Sequence, residues 1–408
     1  MRILWLTPVH RRSAIANFSE LVVERLIARG FEVAVAASET EFDSRERRAF
    51  LDLKIRSVRE WSPQDFDQHN DVIFANFGDH YPNHALSLLS LKSKRVIGIF
   101  HDADMTNFEN GYRALGKTDG IDFQFSAPSI ISAIAQKCAG AVAHSNFYKA
   151  DLDACDGPIA VVPLAWALKN VRARSALTGE RFRLVTFGNI NRNKCADRII
   201  AAIGGSRSLS DAVDYLLLGA IAADEKARLE ALATDANVRL SIMGEVSDEE
   251  LVRALQGASA VSCLRHPVLE GASASAIEAM LHGCAVLVSN AGFYRDLPDD
   301  CVAKVPAETS VSALRTTLES LVSDVEGCVE MGKRASAYAS RAFSPDTYAA
   351  SMIELAKNVS QLSAYNPLIA KTGLQLARLG LQSDHPAVDL VLSAVESLPG
   401  IRRRRNLS

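Results

Sequence analysis

The sequence predicts an α/β fold built from two doubly wound halves that face each other across a cleft. Three observations carry that prediction. Short apolar runs alternate with helical segments from one end of the chain to the other. The runs are continuous rather than alternating, as in strands buried on both faces of a parallel sheet. The pattern restarts after one polar stretch, KNVRARSALTGE at 169–180, which divides the chain.

In the first half the runs are RILWLTP (2–8), FEVAVAAS (31–38), DVIFANF (71–77), RVIGIF (95–100), AGAVAHS (139–145) and IAVVPLA (159–165). Between the first two lies FSELVVERLIARG, whose Phe18, Leu21, Val22, Leu26 and Ile27 recur at helical spacing before Gly30 closes the segment. The second half has RFRLVTFGNI (181–190), DYLLLGAI (214–221), NVRLSIMG (237–244), ASAVSCL (258–264), CAVLVSN (284–290) and CVAKVP (301–306), again with helical sequence between them. FSPDTYAASMIELAKN (343–358) is helical with Pro345 in its opening turn. These patterns divide the chain into a domain over 1–168, a linker over 169–180, a second domain over 181–342, a helix over 343–360 and a helical extension over 361–408 with a basic end, IRRRRNLS.

Composition narrows the function. A length of 408 residues allows two or three domains at roughly 100–200 residues each. The net charge of -3 disfavours a dedicated nucleic-acid binder, which is usually basic. Seven cysteines, scattered and never in a CxxC pair, fit reduced buried thiols in a cytoplasmic protein rather than a disulfide framework or a zinc site. MRILWLTPVHRRS has too short an apolar run for a signal peptide, and no stretch reaches the roughly 18 apolar residues of a membrane span.

In facing α/β sheets, ligands bind at the carboxyl ends of the strands, so the loops there carry the chemistry. The stretch EGASASAIEAMLHG (270–283) follows the strand ASAVSCL. A helix starting there, capped by Ser273 or Ser275, would present free N–H groups and a partial positive charge to a phosphate. Gly271, Ala272, Ser273, Ala274 and Ser275 leave that backbone open. Glu278 in the first turn could accept from two vicinal hydroxyls, and Glu270 lies where a sugar on the phosphate would project. The same letters also read as a capping box between Ser275 and Glu278, with no ligand at all.

The pair Glu270-x7-Glu278, followed by AMLHGCAVLVSNAGFYRDL, resembles the donor-site signature of the family four retaining nucleotide-sugar glycosyltransferases. FGNINRNKCADRIIAAI, GEVSDEELVRAL and FSPDTYAASMIEL resemble further segments of that family in the same order, so the likeness runs over about 1–360. It implies the GT-B fold, two Rossmann-like domains across a cleft, and transfer of a hexosyl unit from a nucleoside diphosphate sugar with retention, without metal or cofactor. The acceptor would be a glycan or a lipid-linked sugar, and the setting cell-surface polysaccharide or glycoconjugate synthesis.

Carried over residue by residue, Glu278 would hold the ribose and Glu270 would sit near the transferred sugar. Lys194 would face the diphosphate beside Gly188. Asn189 stands at the family's arginine position, so Arg192 or Arg265 would have to supply that charge. His101, after the strand RVIGIF, would point into the cleft near the sugar, or else be a hydrogen-bonded histidine of the framework. The family's Gly-rich loop is replaced by TPVHRRSAIANFS, which has no glycine, so His10, Arg11 and Arg12 are the candidates for the acceptor side. Asp102-Ala103-Asp104 spells a metal-binding DxD, a reading that the GT-B likeness disfavours. IRRRRNLS could touch the anionic inner face of a membrane or remain a solvated tail. A GT-B-like nucleotide-sugar epimerase or a scaffold with a decayed site is the competing reading.

Overall fold

All twelve apolar runs become strands in the computed structural model, which describes residues 1–11, 13–41, 50, 53–116, 120–121, 123, 127, 129–168, 181–381 and 385–396. The first sheet contains β1 (Arg2–Thr7), β2 (Glu32–Ala37), β3 (Arg56–Ser57), β4 (Val72–Phe77), β5 (Val96–Phe100), β6 (Gly140–Ala143) and β7 (Ile159–Val161). Its order is β3-β2-β1-β4-β5-β6-β7, with every pair parallel. The second contains β8 (Phe182–Phe187), β9 (Val213–Leu218), β10 (Arg239–Ile242), β11 (Ala260–Ser262), β12 (Ala285–Ser289) and β13 (Ala303–Val305), ordered β10-β9-β8-β11-β12-β13 and also parallel. The short β3 was not expected. Its two polar residues carry no apolar signal, and it only lengthens the sheet edge.

Burial on both faces explains the continuous runs. In β1, Ile3 and Trp5 enter one apolar cluster, while Leu4 and Leu6 enter another. Strand order reverses between β1 and β4 in the first sheet and between β8 and β11 in the second. Those reversals splay the connecting helices to opposite faces and open a crevice at the strand ends, which is where such sheets take ligands.

One apolar cluster joins the two halves. It runs from Trp5 and Phe18 to Val286 and Met280, and it includes Tyr348, Met352 and Val359. The last three lie on the helix Pro345–Arg378, whose start packs on the first helix, Ala14–Ala28. That helix continues without a break through position 360, where a boundary was expected. The expected linker at 169–180, Arg12 and the basic end at 401–408 lie outside the described residues. All seven cysteines are buried free thiols. Among the described residues no helix is long and apolar enough to cross a membrane.

Candidate active site

The crevice predicted by the strand order is a cleft of about 810 Å³ lined from both halves. Its floor is backbone. Gly188 ends β8 at φ 89 and Gly219 ends β9 at φ 130. A Cβ on Gly219 would stand 2.1 Å from the Gly188 carbonyl oxygen. Only glycine fits there, so the two strand ends come close together.

Lys194 follows on the turn Arg192–Lys194 and lines the cleft. It is 5 % exposed, and its ammonium donates back to the Phe187 carbonyl. Burial, and then the neighbouring Arg265 charge, pull its pKa down to about 7. Arg265 follows β11 and reaches the same space. Its Nε lies 3.0 Å from Glu270 Oε1, and its side chain is 11 % exposed. Nη1 donates to the Leu264 carbonyl at 2.8 Å, which fixes the guanidinium plane. Tyr294 is buried and donates to the same Glu270 oxygen at 2.7 Å. Glu270 is therefore held by a cation and a phenol before any ligand arrives.

The helix Ala274–Leu281 opens onto this cluster. Ser273 is its cap and accepts from Ala276 N at 3.3 Å. The cap at Ser273 rules out the Ser275–Glu278 capping box and moves Glu278 from the expected first turn to the second, where it lines the cleft. Ala272, Ser273, Ala274 and Ser275 line it as well. Glu245, Val246, Asp248 and Leu251 form a further stretch of wall, from the segment GEVSDEELVRAL.

The opposite wall comes from the first half: Arg11, Ala14, Asp102 and Trp166. The loop after β1 works without glycine because the buried Glu39 carboxylate takes its amides, Val9 N and His10 N, the latter at 2.9 Å. Asp102 Oδ2 accepts from Asp79 N at 2.8 Å. Burial pushes its carboxyl up to about 7, and Asp79, Glu270 and Asp104 add to the rise against that hydrogen bond. Asp104 instead accepts from Thr106 N at 2.9 Å, at the start of the next helix. The two aspartates of the DxD thus serve different partners. Among the described residues no group of three or more His, Cys, Asp or Glu side chains is gathered as a metal ion would require.

Three expected placements change. His101 does not line the cleft. It is 7 % exposed, with Nε2 2.8 Å from Asn76 Oδ1 and Nδ1 3.2 Å from His144 Nε2. Burial, together with the neighbouring His144 and His84, pulls its pKa well down, as for a neutral framework imidazole. Arg192 turns outward instead of into the cleft, with its Nε 3.6 Å from Glu225 and its side chain 78 % exposed. Gly271 faces the other half rather than the cleft, because its added Cβ would meet Tyr148 Oη at 2.5 Å. Tyr294, Gly219 and Trp166 were not singled out from the sequence. The glycine after DYLLL was the one available signal among them.

Residues 169–338 match the family model described as glycosyl transferases group 1. No curated protein sequence matches the chain. Solved structures share the whole architecture at low identity. Sucrose-phosphate synthase from Thermosynechococcus elongatus superposes with a TM-score of 0.62 at 17% identity, covering 91% of this chain and 100% of its own. HepE from Anabaena, solved with UDP and glucose, superposes at 0.61 and 14%, covering 87% and 98%. WaaG, a glycosyltransferase involved in lipopolysaccharide biosynthesis, superposes at 0.57 and 15%, covering 89% and 99%. The fold is therefore GT-B, with two Rossmann-like domains facing across the cleft.

Proposed function

We propose that the protein is a glycosyltransferase that moves a hexosyl unit from a nucleoside diphosphate sugar to a glycan or lipid-linked acceptor, with retention at the anomeric carbon. One observation carries the reading. Lys194, Arg265, the open mouth of the helix Ala274–Leu281, Glu270 and Glu278 converge on one cleft, within the segment that matches the family model. The diphosphate lies over Gly188 and Gly219 against the helix mouth, where N–H groups and the helix dipole favour an anion. Glu278 takes the ribose hydroxyls, the wall at Glu245–Leu251 flanks the base, and Glu270 meets the transferred sugar. As the glycosidic bond breaks, negative charge grows on the leaving phosphate. Lys194 and Arg265, both largely buried, stabilise that charge. The same phosphate oxygen takes the acceptor proton, so no separate base is required.

HepE was solved with UDP and glucose, which makes uridine diphosphate sugars the first donors to test. WaaG acts in lipopolysaccharide biosynthesis, which supports a glycoconjugate acceptor. The sequence run IRRRRNLS at 401–408 fits peripheral contact with an anionic membrane. Vesicle co-sedimentation tests that contact: deletion of 401–408 should abolish binding to anionic vesicles, and unchanged binding would sink the idea.

A second reading, a nucleotide-sugar-binding protein without transfer, rests on Asn189 at the family's arginine position and on Arg192 turned toward Glu225. Thermal stabilisation by a panel of UDP-, GDP- and ADP-sugars, followed by donor hydrolysis, separates the two. A transferase hydrolyses its donor slowly and loses that activity in Glu278→Ala. Stabilisation without any turnover favours the binding protein, and no stabilisation by any member rejects both.

A further inference from the structure

We infer that the first domain positions the sugar-side carboxylate of the second: Gly271 and Ser145 are positioning residues that act through Glu270. The inference rests on the donor-site reading above and concerns how that site is completed. Leu269, Glu270 and Gly271 form a strap across the domain boundary. Asp102 and Glu270 make an antiparallel bridge. Ala103 N and Asp104 N donate to the Leu269 carbonyl at 2.8 and 3.1 Å, and Gly271 N donates to the His101 carbonyl at 2.8 Å. Ser145 Oγ donates to the Gly271 carbonyl at 2.6 Å. Glu270 is thus gripped on both sides by main chain of the opposite domain.

The dock itself is buried and hydrogen-bonded. Tyr148 is 1 % exposed, donates to the Phe100 carbonyl at 2.6 Å and accepts from His144 N at 2.7 Å. His101 is locked by Asn76 and His144, so its carbonyl is fixed where Gly271 needs it. The turn Gly292–Asp296, which carries Tyr294 to Glu270, is held by the same corner through Asn146 N and Asp296 Oδ2 at 3.3 Å. A Cβ at position 271 would stand 2.5 Å from Tyr148 Oη and 2.8 Å from the His101 carbonyl, so the strap docks only with glycine there.

The groups proposed for the nucleoside diphosphate, from Gly188, Lys194 and Gly219 to the wall at Glu245–Leu251, Arg265, the helix mouth and Glu278, all belong to the second domain. Nucleotide binding therefore does not require the dock, whereas alignment of the sugar against Glu270 does. The contact that joins the two domains is thus also the contact that places this carboxylate.

The test compares wild type, Gly271→Ala and Ser145→Ala in three measurements: calorimetric titration with UDP, GDP and ADP, turnover of the matching nucleoside diphosphate glucose, and amide hydrogen exchange of the unliganded proteins. Nucleotide Kd should stay within about threefold in both variants, while kcat falls on the order of 100-fold in Gly271→Ala and about tenfold in Ser145→Ala, the scale of a 1 Å misplacement. The amides of Ala103, Asp104 and Gly271 should be protected in wild type. In Gly271→Ala those of Ala103 and Asp104 should lose protection. Unchanged kcat in both variants, or a Kd that weakens in step with kcat, overturns the inference. If wild type takes none of the three nucleotides, the glycosyltransferase reading fails, and exchange alone judges the strap: loss of protection in Gly271→Ala upholds it, and unprotected wild-type amides refute it.

Discussion

A lysine held at a pKa of about 7 is mostly uncharged at pH 8, yet Lys194 faces the space proposed for a diphosphate. Its unfolded-state value is near 10.5, so between pH 7 and 10.5 the folded, empty protein binds fewer protons than the unfolded chain. The sign follows: this group's cost to stability is full below pH 7 and lifts as pH rises toward 10.5. A bound diphosphate reverses the balance by making the ammonium favourable again. Binding of UDP at pH 8 should therefore take up about one proton per site. Calorimetric titration in buffers of different ionisation enthalpy reads this directly, because the apparent binding enthalpy then depends on the buffer. In Lys194→Met the buffer dependence should vanish, and Kd should weaken by about 10–100-fold, the worth of one charged hydrogen bond of roughly 1.5–3 kcal/mol. A buffer-independent enthalpy in wild type at pH 8 would mean that Lys194 stays away from the phosphate.

At the scale of elements, strand ends decide what the cleft can accept. The close approach of Gly188 and Gly219 keeps the floor open, and the φ of 130 at Gly219 excludes a side chain on conformational grounds alone. Gly219→Ala should therefore push β8 and β9 apart at their ends and lower the melting temperature of the second domain. UDP affinity should fall by at least about tenfold, which costs roughly 1.4 kcal/mol. Unchanged affinity would place the diphosphate elsewhere. The strands themselves were legible because burial on both faces writes an unbroken apolar run, and the strand order then located the crevice. The two-residue β3 has no such run. Side-chain direction in the loops was not legible. His101 was placed correctly at the end of β5, but Asn76 and His144, distant in sequence, turn its ring into the core. Likewise no local pattern distinguishes Arg265, which meets Glu270, from Arg192, which meets Glu225. The small residues of EGASASAIEAM were read as room for phosphate. Residues 272–275 do line the cleft, whereas Gly271 is small because the other domain presses on it.

At the scale of the whole molecule, the helix Pro345–Arg378 returns to the first domain and covers its core, and the question is which contacts hold it. Asp346 meets Arg25 at 3.2 Å and Arg29 at 3.0 Å, but Asp346 is 57% exposed, and surface pairs of this kind contribute about 0–1 kcal/mol. Two residues further on, Tyr348 is 1 % exposed and packs edge-on to Phe18 at 5.0 Å between ring centroids. Val359 closes on Gly140, where an added Cβ would lie 3.0 Å away. The apolar face therefore carries the attachment. Its hydroxyl does not help, since Tyr348 Oη is buried with no hydrogen-bond partner among the described residues and such a group costs stability. Chemical denaturation should rank three variants accordingly. Tyr348→Ala loses about 3–5 kcal/mol, as for other large buried aromatic rings. Asp346→Ala changes stability by less than about 1 kcal/mol. Tyr348→Phe keeps the ring and removes the orphaned hydroxyl, so it leaves stability unchanged or raises it. A large loss in Asp346→Ala, or in Tyr348→Phe, would show instead that polar contacts hold the helix to the first domain.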